Sequence, residues 1–97
     1  MALDVVFSPR ALIDIDRIYD YTEARWGSEQ AEKYTFELKS VCHRLAEVPR
    51  PGKPATIIRR GYFVAGASSH NIFFREEVGR IVVIRILHNR MDPSRHL

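Results

Sequence analysis

The sequence predicts an α+β domain of order β-α-α-β-β-β, with a helical hairpin packed on one face of a curved, mainly antiparallel sheet. Three observations carry that reading. Apolar residues from Ala11 to Val48 recur at steps of three and four, the spacing of helices with one buried stripe. Between Tyr62 and His88, three β-branched and aromatic runs are separated by gaps far shorter than the roughly twelve residues that a parallel crossover needs. Finally, 97 residues fill one core and not two, so residues 1–97 are read as a single domain.

Leu3 to Phe7 (LDVVF) forms a short β-branched first strand that ends at a turn signal. Ser8-Pro9 then starts a helix: serine caps the free amides of the first turn, and proline at the first helical position loses no hydrogen bond. Ala11, Leu12, Ile15, Ile18, Tyr19, Thr22 and Trp26 make one stripe on a helix over residues 9–26, and Asp14, Asp16, Arg17, Asp20 and Glu23 take its wet side. Gly27-Ser28 ends this helix and starts the next, glycine giving the left-handed exit and serine the new cap. The second helix, about 29–47, buries Ala31, Tyr34, Leu38, Val41, Cys42, Leu45 and Val48, and so short a connection makes the two helices antiparallel. Phe36 falls off that stripe, either as a plain exposed aromatic or as part of a contact surface.

Pro49-Arg50-Pro51-Gly52-Lys53-Pro54 can neither continue a helix nor join a sheet, and is read as the loop between the halves. Three strands follow, Tyr62–Ala67, His70–Arg75 and Arg80–His88, separated by Ser68-Ser69 and by Glu76-Glu77-Val78-Gly79. Alternation places Ile72 and Phe74 opposite Asn71, Phe73 and Arg75, and Val82, Ile84 and Ile86 opposite Ile81, Val83, Arg85 and Leu87. The sheet face away from the helices is expected to hold the arginines under partial cover.

The charge is unevenly spread. Residues 1–56 carry eight Lys or Arg against nine acids, whereas residues 57–97 carry seven arginines against three acids. Arginine presents a planar fork of donors suited to carboxylate or phosphate, so an acidic partner is expected for the second half. The lone Cys42 cannot form an internal disulfide, and there is neither a leader pattern nor an apolar run of bilayer-crossing length. A cytoplasmic location is expected.

The residues that carry chemistry gather just beyond the last strand. Arg85, His88, Asn89, Arg90, Met91, Asp92, Arg95 and His96 leave the end of a rigid platform, the placement that recognition or catalysis requires. Metal binding is rejected, since His43, His70, His88 and His96 show no ligand spacing, and no cofactor is expected. A metal-free ribonuclease stays open, with His88, Arg85, Arg90 and His96 as acid, base and phosphate-binding groups. Against it stands a structural reading in which His88 caps the strand and the arginines pair with Asp92, Glu76 or Glu77.

The opening VVFSPRALIDIDRIYDYTEARWG, the P-x-P-G loop, HNIFF and above all RILHNRMDPSRHL resemble the ParE branch of the RelE/ParE superfamily of bacterial type II toxins. The resemblance spans nearly the whole chain. It implies a bacterial cytosolic toxin neutralised by a cognate antitoxin, with DNA gyrase as the target and nucleic acid reached only through the antitoxin. RelE-like members instead cut messenger RNA in the ribosome, and a third alternative is a non-toxic member that only binds its antitoxin. The ribonuclease relatives carry basic residues on the strand that here reads Tyr62, Phe63, Val64 and Ala65. Arg90 matches an arginine of their site, and His96 falls near the place of their C-terminal tyrosine or histidine. The non-enzymatic reading is favoured. It makes the tail from Arg85 to His96 the target-binding segment, while an acidic, apolar antitoxin tail lies along the helical hairpin and sheet edge, with Arg59, Arg60, Arg75 and Phe36 as its contacts.

Overall fold

The computed structural model describes residues 3–47, 52–56 and 58–97. Their order is β1 (Asp4–Phe7), α1 (Pro9–Trp26), α2 (Ser28–Leu45), β2 (Lys53–Pro54), β3 (Tyr62–Ala67), β4 (His70–Glu77) and β5 (Arg80–His88). These strands form one open sheet in the order β1-β5-β4-β3-β2, parallel between β1 and β5 and antiparallel elsewhere. Both helices pack on one face. Their Ala11, Ile15, Leu38, Cys42 and Leu45 meet Ala67, Ile72, Phe74, Ile81, Val83 and Ile86 of the sheet in one core.

The predicted α+β architecture holds, and several local expectations change. Lys53-Pro54 joins the sheet, pairing with Val64 and Phe63, because an edge strand tolerates a residue without an amide proton. β4 runs two residues beyond Arg75 to Glu77, leaving only Val78-Gly79 as the turn. At the helix junction Gly27, with φ +90°, caps both helices: its amide donates to Glu23 O and its carbonyl accepts from Ala31 N. Ser28 is the first helical residue and makes no cap, because the glycine already occupies that position. Leu12 and Trp26, placed on the buried stripe of α1, are 50% and 64% exposed, lying at the margins of a stripe centred on Ala11, Ile15, Ile18 and Thr22. Val48 and Pro49-Arg50-Pro51 lie outside the described residues.

The alternation read for β5 breaks at one point. Phe74 stands opposite Val83 and Phe73 opposite Arg85, so Ile84 is an extra residue, a bulge. Ile86 therefore shares the helix-side core with Ile81 and Val83 instead of facing away from them. The bulge lies where β1 stops, since β1 pairs only with Arg80 to Val83. Beyond Val83 the start of α1 takes over that edge. Ser8 N donates to Val83 O, Ser8 Oγ donates to Ile84 O at 2.6 Å, and Ile86 N donates to Asp14 Oδ2 at 2.9 Å. Ser8 Oγ also accepts from Ala11 N, the expected helix cap.

Candidate recognition cleft and tail

Asp14 is not on the wet side of α1. It is 7% exposed, and its carboxylate accepts from Arg85 Nε at 2.8 Å, from Arg85 Nη2 at 2.9 Å and from the Ile86 amide. Arg85 is equally buried, and its third donor, Nη1, reaches the His96 carbonyl at 2.8 Å. The hydrogen bonds it donates to Asp14 hold the guanidinium above its ordinary pKa, outweighing burial. Arg85 is thus withdrawn from the surface set that the sequence placed it in. Its partner is an acid 71 positions away and none of Asp92, Glu76 or Glu77. Glu77 instead takes Arg75 and Arg80, which hold its carboxyl below the usual range, Arg80 first.

The Asp14–Arg85 pair lies beside a cleft of about 800 Å³ between the helices and the end of the sheet. α1 gives this cleft Arg10, Arg17, Tyr21 and Trp26, α2 gives Tyr34, and β4, β5 and the tail give His70, His88, Met91 and His96. Tyr21 and Trp26 meet edge to face at 6.5 Å, and the Arg25 guanidinium lies 4.9 Å from the Tyr21 ring centre. Cross-strand neighbours His70 and His88 have ring centres 5.3 Å apart. Tyr34 Oη accepts from the Ser69 amide and shares a 2.6 Å hydrogen bond with His70 Nδ1. Burial first, then His88, pushes the His70 pKa down to about 4.

After β5 the tail follows its own short-range bonds. Met91 N donates to His88 O, and the Arg90 amide donates to His88 Nδ1, so His88 does cap the strand end. Asp92 caps a single 3₁₀ turn, Pro93–Arg95, by accepting from the Ser94 hydroxyl at 2.7 Å and the Ser94 amide at 3.0 Å. These two bonds hold its carboxyl below the usual range, the hydroxyl contributing most. Asn89, Arg90, Met91, Asp92 and Arg95 are exposed, and His96 is half-buried. His96 lines the cleft, and Arg90 lies outside its lining.

The residues assigned to antitoxin contact occupy separate places. Phe36 is 71% exposed on the outer side of α2. Arg59 lies against Tyr62, the cross-strand partner of Arg75, and Arg60 is exposed beside it. Sequence reasoning missed the cleft residues Arg10, Tyr21 and Tyr34 because they come together only when α1, α2 and the β4 end are assembled. The i, i+4, i+7, i+11 spacing of Arg10, Asp14, Arg17 and Tyr21 was the available signal.

The comparisons with known proteins agree with one another. Residues 5–93 match the family described as the ParE toxin of the type II toxin-antitoxin system parDE. The chain is 42% identical to a Toxin ParE1 of Caulobacter vibrioides over 93% of both chains. It is also 42% identical to a Toxin ParE1 of Mycobacterium tuberculosis over 100% of both. Among solved structures, a chain of the chromosomal ParDE system of P. aeruginosa superposes with a TM-score of 0.78, at 21% identity, covering 90% of this chain and 96% of its own. A chain of the M. tuberculosis RelBE2 toxin-antitoxin complex superposes at 0.72 and 18% identity, over 94% and 95%. At those identities the two structures show the shared fold alone, but the match of residues 5–93 and the full-length relatives make this chain a member of the ParE toxin family of type II toxin-antitoxin systems.

Proposed function

We propose that the protein is a toxin that inhibits DNA gyrase by protein binding, acts in the bacterial cytoplasm, and is neutralised by a cognate antitoxin. The observation that carries this reading is the exposed polar tail held at the end of β5. Asn89, Arg90, Met91, Asp92 and Arg95 present amide, guanidinium, thioether and carboxylate groups to solvent on a turn fixed by its own hydrogen bonds. Such a pre-ordered segment recognises a protein surface at small entropic cost. The antitoxin is proposed to bring an acidic, apolar segment to the helical hairpin, where Arg10 and Arg17 complement acids and Tyr21 and Trp26 complement apolar side chains. Phe36, Arg59, Arg60 and Arg75 are further proposed contacts along its path.

Geometry gives little support to the ribonuclease alternative. β3 reads YFVAGA and carries no charged side chain, Arg90 does not line the cleft that His96 lines, and burial pushes the His70 pKa down to about 4 with its Nδ1 engaged by Tyr34. The deciding experiment is a gyrase supercoiling assay with purified toxin, run beside an in vitro translation reaction in which message integrity is followed. Inhibited supercoiling with intact message supports the proposal. Cleaved message with normal supercoiling overturns it.

A further inference from the structure

We infer that Asp14 and Arg85 are positioning residues for the tail: the buried ion pair aims one guanidinium nitrogen at the His96 carbonyl, and this sets where the recognition side chains stand. The inference rests on the reading of the tail as the target-binding segment. Three features of the molecule carry it. First, Asp14 engages Nε and Nη2 of Arg85, leaving Nη1 as the donor that reaches the His96 carbonyl. A planar fork held at two corners has no freedom at the third, which a flexible ammonium group would keep. Second, the pair is anchored on the bulge, because Asp14 also accepts from the Ile86 amide and Ser8 Oγ donates to the Ile84 carbonyl. The direction in which Arg85 points is therefore fixed on both sides by α1. Third, among the described residues the other backbone hydrogen bonds of the last turn are local. Arg95 N bonds Asp92 O, and the His96 and Leu97 amides bond Pro93 O, so these define the turn's shape without tying it to the sheet.

Arg85→Lys separates the two roles. Lysine can still neutralise Asp14, but its donors all sit on one nitrogen, which cannot occupy at once the three separate places from which Nε, Nη2 and Nη1 reach the carboxylate and the His96 carbonyl. The readout is amide hydrogen exchange resolved by residue, with the slowest core amides as a folding control. The expected result is that the Ile86 amide and the core keep their protection, while Arg95, His96 and Leu97 exchange roughly tenfold faster or more, the effect of losing a charge-assisted hydrogen bond. Gyrase inhibition should weaken at least several-fold in the same variant. Asp14→Asn, which keeps the side chain's shape and removes its charge, should loosen the same three amides. Unchanged tail exchange in folded Arg85→Lys overturns the inference, and so does a loosened tail that inhibits as well as the parent. If the parent protein leaves gyrase untouched, the proposed target fails by itself, and the exchange data still decide whether the pair positions the tail.

Discussion

Replacing Asp14 with alanine should be among the most damaging single changes in the chain, because it strands a charge. The carboxylate accepts three hydrogen bonds, two from Arg85 and one from the Ile86 amide, at a site where both side chains are under 10% exposed. Removing one partner of a buried pair costs about 3–5 kcal/mol, mostly for the charge left without compensation. Against a total stability of roughly 5–15 kcal/mol, that is about a fifth or more of what holds the domain together. With a urea dependence of about 1 kcal/mol per molar, the unfolding midpoint should fall by roughly 3 M or more, if the variant folds at all.

A companion variant separates the stranded charge from the lost packing. Asp14→Leu with Arg85→Met removes both charges and fills the space with apolar atoms. Exchange of a buried pair for apolar residues gains about 1–4 kcal/mol where packing is good. The Ile86 amide, left without an acceptor, costs about 1–3 kcal/mol. The double variant should therefore lie between about 2 kcal/mol less and about 3 kcal/mol more stable than the parent, above Asp14→Ala. Urea denaturation followed by circular dichroism measures all three proteins. An Asp14→Ala protein within about 1 kcal/mol of the parent would mean that Asp14 compensates no buried charge, as would a double variant no more stable than the single one.

Two further outcomes follow from His70, on β4, and Gly52, just before β2. Unfolded, the His70 imidazole takes its proton near pH 6.5, but folded it resists until about 4. Between those values the unfolded chain binds more protons, so stability should fall as pH is lowered through that window. His70→Gln should flatten the decline, read from urea midpoints at about pH 7 and about pH 4.5. Gly52 is a close-approach glycine: an added Cβ would stand 2.7 Å from Val64 O and 3.0 Å from the Phe74 ring. Because the first of these is backbone, Gly52→Ala should cost about 1–3 kcal/mol in the same denaturation assay, and a neutral result would show that β3 gives way.

Those effects differ in how far the sequence announces them. The helices, the three long strands and the polar tail are legible because each depends on neighbours within a few residues. Ser8 caps the helix expected of it, β3 has the predicted bounds, and Ile72 and Phe74 share the core. β2 is not legible, because Lys53-Pro54 has no strand pattern and pairs only where β3 offers it an edge. The cleft shows along the chain only as the helical spacing of its α1 wall, since Arg10, Tyr34 and His88 meet only through the packing of α1, α2 and β5.

The phase of β5 is the deeper case. Its alternation cannot be read through Ile84, because a bulge is a property of two strands and depends on where the third one ends. β1 has four residues and β5 nine, so the chain must leave an open backbone edge beyond Val83 and find polar groups for it. Ser8 and Asp14 are those groups. The sequence does carry a trace of this arrangement: an acid three residues after Ala11 and four before Ile18, within the arc of an apolar stripe, and an arginine inside an apolar strand. Each is costly to bury alone, and burying them together removes most of that cost. An acid on a helix's dry side and a lone arginine in a central strand are therefore better read as one feature than as two exceptions. Here that one feature fixes the edge of the sheet, the wall of the cleft and the anchor of the tail.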